Sequence, residues 1–179
     1  QCNELYISAR SSEALEEIAA LKPNAICMAL DVTDQKAVTT AADKISGLNS
    51  NLDLVVVCSG IWKKSDIANL DPEDFRVTME TNYLGSVNII SAVTPNMVKN
   101  GSGHIALVSS LAGYRGLPNA ASYAPTKAAL INLAECLKPQ FARMGITISI
   151  VNPGFVDTRL TAVNKFPMPF IQTTQAAAQ

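Results

Sequence analysis

Five short runs, Leu5 to Ala9, Ala25 to Leu30, Leu54 to Cys58, His104 to Ser109 and Thr147 to Val151, are rich in apolar and β-branched residues. Several are nearly continuous in apolar residues, as strands covered on both faces are. Between them lie longer stretches with helical spacing. That alternation is the pattern of βαβ units built around a parallel sheet, so the sequence predicts an α/β domain.

The helix starts are marked by polar caps. Ser11-Ser12 precedes a helix over Glu13 to Leu21, and Thr33 or Asp34 caps one over Gln35 to Leu48. Asp71-Pro72 opens a third helix, expected to run to about Lys99 with a kink near Pro95. A fourth is expected from about Ala121 to Arg143, with Pro139 as a kink or break. Gly101-Ser-Gly103 is a turn. From Thr158 to Gln179 the periodicity is lost, which predicts a mobile flap.

A chain of 179 residues, 48% hydrophobic, fits one globular domain over 1–179. Fourteen Lys and Arg against fifteen Asp and Glu give a net charge of −1, without the basic excess that binding a phosphate backbone needs, so no nucleic-acid partner is expected. Cys2, Cys27, Cys58 and Cys136 are far apart, and the chain has one His, which points to reduced thiols with no disulfide framework and no metal site. The longest apolar run, Leu54 to Cys58, is far below the roughly 20 residues of a membrane helix, and no leader pattern opens the chain. A soluble, cytoplasmic protein with no membrane partner is the expectation.

Tyr123-Ala-Pro-Thr-Lys127 places a phenol and an ammonium four residues apart near a helix start, one turn apart on one face. A free phenol titrates near ~10, and a neighbouring positive charge favours its ionised form, which makes it usable as an acid or base near neutrality. Pro125 fits because the first helical turn does not need its N–H. Taken alone, such a pair is more often a packing residue and a solvated charge. Its context adds weight. Ser110 closes the run Ile105 to Ser110 at the carboxyl end of a predicted strand, where open α/β sheets build their sites. Asn152-Pro-Gly154-Phe-Val-Asp-Thr158 ends the next strand in a rigid turn. Thr81-Asn82-Tyr-Leu-Gly85 sets an Asn inside a helix, which is unfavourable in a buried position unless the amide has partners.

With these motifs in this order, the chain resembles the short-chain dehydrogenase/reductase family over nearly its whole length. The resemblance implies a doubly wound parallel sheet of Rossmann type in three layers. It implies a catalytic set of Asn82, Ser110, Tyr123 and Lys127. In that set Tyr123 exchanges a proton with the substrate oxygen, Ser110 hydrogen-bonds the same oxygen, Lys127 holds the nicotinamide ribose and lowers the Tyr123 pKa, and Asn82 positions a water linking Lys127 to solvent. Asp31, Val32, Ser59, Gly60, Pro153 and Gly154 fall on cofactor-contacting positions, and the Val156 backbone and Thr158 hydroxyl would grip the carboxamide. The family also implies a homodimer or homotetramer formed through the Asn82 and Tyr123 helices. An acid that binds a ribose 2′-hydroxyl is missing where the run Leu5 to Ala9 ends, and Arg10 follows it, so NADP rather than NAD is the expected cofactor. The substrate is expected to be a small carbonyl compound or alcohol, and Phe166-Pro-Met-Pro-Phe170 suits an apolar one.

Two departures stand out. Val57-Cys58-Ser59-Gly60 replaces the family's common Asn-Asn-Ala-Gly, with Cys58 expected to act as a small apolar residue. No Thr-Gly-x-x-x-Gly-x-Gly turn occurs. The strand it belongs to lies between the second and fourth strands of the family's sheet, so these residues are expected to leave a gap there, and the sequence to be incomplete at both ends. Two readings result: an NADP-dependent oxidoreductase acting on a carbonyl or secondary alcohol, or a pseudoenzyme that binds or scaffolds without holding a cofactor.

Overall fold

The computed structural model describes residues 4–22, 24–47, 51–158, 160–162 and 167–178. Strand β1 (Leu5–Ala9) lies parallel to β2 (Ala25–Ala29), with Leu5 opposite Ala25, and the crossover helix α1 (Ser12–Leu21) packs on both. After α2 (Gln35–Gly47), β3 (Leu54–Val57), β4 (Gly103–Val108) and β5 (Ile146–Val151) form a second parallel sheet in that order. Val55 stands opposite Ile105, and Ile105 opposite Ile148. Parallel strands need long crossovers. Here α3 (Pro72–Met79) and α4 (Gly85–Asn100) span β3 to β4, and α5 (Ala124–Arg143) spans β4 to β5.

The centre of the fold is β4. Its consecutive residues Ile105, Ala106 and Leu107 are all buried, which requires cover on both faces of the sheet. Met97 of α4 and Leu130 of α5, both at most 1% exposed, join Ile105, Leu107 and Ile148 in one core cluster. Emptying such a site, as in Leu130→Ala, typically costs about 2–5 kcal/mol.

β1 and β3 are not paired with each other. Each has one strand neighbour, and a cavity of about 850 Å³ separates them, lined by Leu5, Tyr6 and Ser8 on one side and Leu54, Val55 and Val56 on the other. Helices α2 and α4 wall it with Val38, Ala42, Ile45, Ile89 and Val93. Each bordering strand thus turns a row of backbone N–H and C=O groups toward the gap. The described residues form two sheets side by side, not one closed sheet.

Several boundaries differ from expectation for local reasons. Asp34, not Thr33, caps α2, its Oδ1 accepting from the Ala37 N–H at 2.9 Å. The predicted helix from 71 to 99 is three pieces: α3, a π-helical turn over Glu80–Leu84, and α4. At the junction the Gly85 N–H reaches back five residues to the Glu80 carbonyl. Neither proline breaks its helix. Pro95 lies inside α4 and Pro139 inside α5, both exposed, with exposed Ser91 and Glu135 four residues earlier, so the carbonyls left without a helical donor can be hydrated. α5 begins at Ala124 instead of Ala121, which puts Pro125 in its first turn. The expected flap carries order among its described residues. Gln172 bridges Val156, the Gln172 N–H donates to the Phe155 carbonyl, and α6 (Thr174–Ala177) follows a Thr173 cap. Phe166 lies outside the described residues. Among those described, no helix is long and apolar enough to cross a membrane.

Candidate active site

Ser110 leaves β4 in extended conformation, and its Oγ accepts from the Ala112 N–H at 3.1 Å, capping the short turn Leu111–Gly113. The same side chain acts on the phenol of Tyr123, lowering its pKa against the effect of burial. Tyr123 sits just ahead of α5 and is 9% exposed, in a cluster with Ala112, Ala120 and Ala124 against which Trp62 packs. One helical turn on, Lys127 is 4% exposed. Its Nζ donates to the Val108 carbonyl at 2.9 Å and lies 5.6 Å from the centroid of the Tyr123 ring.

Burial dominates the electrostatics of this pair. It pushes the Tyr123 phenol above its ordinary range, and the Ser110 side chain partly offsets that. It also lowers Lys127 to about 8, an effect the nearby Cys58 opposes. Both shifts have one origin, since a low-dielectric surround disfavours the charged form of either group. Near neutrality the phenol therefore holds its proton. Cys58 is exposed and unpaired as a disulfide, not packed as a small apolar residue, yet desolvation at the site raises its thiol against the pull of Lys127.

Asn82 comes from the π-helical turn and is fully buried. Its Oδ1 accepts from the Ile61 N–H at 2.8 Å, while Nδ2 donates to the Ile61 carbonyl at 3.0 Å and to Thr126 Oγ1 at 3.1 Å. The partners that a buried Asn requires are thus present. Both amide hydrogens are committed, and the Asn82 carbonyl accepts from Ser86 Oγ at 2.8 Å. Gly60 is placed against this pair: a Cβ there would stand 3.5 Å from both Asn82 Oδ1 and Lys127 Nζ.

The expected cofactor positions divide into three places. Arg10 and Asp31 share a cleft of about 460 Å³ with Thr33, Arg76 and Glu80 at the ends of β1 and β2. Asp31 is held below its usual range first by hydrogen bonds from the Thr33 N–H and hydroxyl, with Arg10 adding to the effect. Val32 serves as a docking point for α4, its carbonyl accepting from Asn88 Nδ2 and its side chain lying over Gly85. Ser59 and Gly60 follow β3, and Ser59 Oγ is buried with no hydrogen-bond partner among the described residues. The turn after β5 is tied to the Ser110 turn by the Leu111 N–H, which donates to the Pro153 carbonyl at 3.1 Å, while Gly154 faces Leu111. Farther along, Thr161 Oγ1 donates to the Val156 carbonyl and accepts from the Thr158 N–H.

Four contributors escaped the sequence reading: Trp62, Thr126, Thr161, and Tyr114, whose hydroxyl accepts from Asn152 Nδ2 at 3.0 Å. Thr126 had a signal, a hydroxyl residue inside the Tyr–Lys spacing. The others act through folding contacts that spacing does not encode.

Residues 4–166 match the family model described as short chain dehydrogenase. The chain belongs to the short-chain dehydrogenase family. Among its relatives, the chain is 38% identical over 150 residues to an uncharacterized oxidoreductase of Myxococcus xanthus, covering 84% of the chain and 59% of the relative. The chain spans about half the length of the curated relatives it matches. In structure the chain is similar to ElxO solved with NADP bound, at a TM-score of 0.85 and 28% identity, covering 97% of this chain and 77% of that one. It is also similar to NAD+-bound xylitol dehydrogenase, at 0.80 and 25%, covering 86% and 61%. These likenesses fit the parallel sheets and flanking helices described above.

Proposed function

We propose that the protein is an NADP-dependent oxidoreductase that transfers a hydride between a nicotinamide and a carbonyl or secondary alcohol carbon, with Tyr123 as the acid or base. The observation that carries this reading is a buried Tyr123 phenol that the Ser110 side chain helps favour in its ionised form, with Lys127 Nζ 5.6 Å from its ring. A raised phenol keeps its proton at neutral pH and can donate it once a hydride reaches the substrate carbon.

The residues present fit a nicotinamide nucleotide. Gly60 leaves the space beside Asn82 Oδ1 and Lys127 Nζ that a Cβ would take, and the buried Ser59 Oγ awaits a partner. Arg10, Asp31 and Val32 would hold the adenosine end; Pro153, Gly154, Val156 and Thr158 would hold the nicotinamide end. When bound, the cofactor supplies or accepts the hydride, which no side chain can. In reduction Tyr123 gives its proton to the substrate oxygen, to which Ser110 donates its one hydrogen. Lys127 places a positive charge beside the phenolate, which regains its proton from solvent. In oxidation the phenolate takes the proton back.

NADP is preferred in this reading because Arg10 lies in the cleft and can pair with a 2′-phosphate. The similar structures hold NADP in ElxO and NAD+ in xylitol dehydrogenase, which supports the nicotinamide class. The apolar Phe170, 95% exposed, suits a hydrophobic carbonyl substrate. The cysteine usage suits a cytoplasmic setting, and α4 and α5 are the faces through which a dimer or tetramer would form. The test is NADPH oxidation followed at 340 nm with the purified protein and a panel of aliphatic and aromatic ketones and aldehydes. Turnover of at least one carbonyl above the background is expected. Tight NADPH binding with no turnover across the panel would contradict the reading.

A further inference from the structure

Thr126 is 0% exposed, and its hydroxyl stands between two parts of the site. Oγ1 donates to the Tyr123 carbonyl at 2.7 Å and accepts from Asn82 Nδ2 at 3.1 Å. A threonine hydroxyl has a single hydrogen. Because it is spent on Tyr123, the oxygen can face Asn82 only as an acceptor. That selects the NH2 end of the Asn82 amide for the α5 side. At the other end the Ile61 N–H, a donor that cannot become an acceptor, meets Oδ1 at 2.8 Å. The two constraints agree, so the amide has one satisfied orientation. Turned over, it would set Oδ1 against the Thr126 hydroxyl oxygen and the Ile61 carbonyl, and NH2 against the Ile61 N–H, three unmet contacts.

The orientation matters for the charge beside the phenol. It directs the negative end of the amide to the space beside Gly60, on which Lys127 Nζ also borders. We propose that Thr126 is a positioning residue: by donating to the Tyr123 carbonyl it acts with the two Ile61 backbone groups to fix the orientation of the Asn82 amide, and so helps hold Oδ1 on the Lys127 side of the proton-transfer site. The kinetic part of this inference rests on the function proposed above; the orientation itself does not.

The test uses Thr126→Val, which keeps the shape and removes the hydroxyl, and Thr126→Ser, which restores it. Amide hydrogen exchange at Ile61 reads the Asn82 contact without any turnover, and steady-state reduction reads its consequence. Thr126→Val is expected to speed Ile61 exchange and to lower kcat, each by about tenfold, as the loss of a contact worth ~1.4 kcal/mol would. KM for NADPH should stay within threefold, and Thr126→Ser should return both readouts most of the way. In an Asn82→Ala background Thr126→Val should have little further effect on kcat. A folded Thr126→Val protein with unchanged Ile61 exchange and kcat overturns the inference, as does an undiminished Thr126→Val effect in the Asn82→Ala background. Should Thr126→Val not fold, Thr126→Ala carries the same comparison. A wild-type protein that turns over no carbonyl contradicts the proposed function instead, and Ile61 exchange still decides whether Thr126 sets the amide.

Discussion

The ammonium of Lys127 is anchored on the Val108 carbonyl at 2.9 Å while standing 5.6 Å from the centroid of the Tyr123 ring. The strand that leads into Ser110 thus also fixes the distance between the cation and the phenol. One backbone carbonyl sets the geometry of the pair.

The first consequence is a pH dependence with a definite owner. Lys127 is lowered to about 8 and Tyr123 is raised, so the ammonium is lost while the phenol keeps its proton. The kcat/KM for carbonyl reduction should be flat below about pH 8 and fall above it. Lys127→Arg, which stays charged, should move that limb upward even if its plateau is lower. The same shift bears on stability: a Lys whose folded pKa is depressed binds fewer protons folded than unfolded between about 8 and its ordinary value. Its contribution therefore opposes folding below about pH 8, and the opposition fades as pH rises through that window.

Ser110→Ala removes the hydroxyl that acts on the phenol and the cap on the Leu111–Gly113 turn. Kinetics and stability should respond unequally. Loss of the oxygen donor is expected to lower kcat by about 10²–10³, whereas loss of the cap should cost about 0.5–2 kcal/mol. Steady-state assays and urea denaturation of the same variant check the two separately.

The strands and the site were legible to different degrees. β4 could be read because burial on both faces leaves a run of apolar residues, and Asn82 because a buried amide must have partners. Pro139 lies within an unbroken α5, and its exposed position lets water serve the carbonyl that a buried proline would have stranded. The π-helical turn was hidden for a different reason. Its junction rests on the approach of Gly85 to Val32, fifty-three residues earlier in the chain, and no local propensity reports such a contact. The Val156–Gln172 bridge escaped because it joins residues sixteen apart in a stretch with no periodicity.

That approach gives a stability prediction. A Cβ on Gly85 would lie 2.6 Å from Val32 Cγ2, too close for α4 to keep its place. Gly85→Ala should destabilise the protein by about 1–3 kcal/mol through overpacking. Val32→Ala in the same chain should recover part of that loss. Thermal or urea unfolding of the two single variants and the double variant reads the coupling.

Arg10→Ala should separate the two nicotinamide cofactors. If Arg10 pairs with the 2′-phosphate, its removal weakens NADPH by about tenfold or more, a charged hydrogen bond being worth roughly 1.5–3 kcal/mol. NADH, which lacks that phosphate, should change less than twofold. Fluorescence titration of both cofactors gives the comparison, and equal weakening of the two would remove Arg10 from cofactor choice.

The role of Tyr123 is tested most directly by Tyr123→Phe, which deletes the acidic oxygen and leaves the ring in its cluster with Trp62 and Ala120. The measurement is kcat for reduction of a carbonyl by NADPH, paired with the Kd for NADPH on the same preparation. Proton donation by Tyr123 predicts a fall in kcat of about 10²–10⁴ with the Kd changed less than threefold. A Tyr123→Phe protein that turns over at the wild-type rate would contradict it.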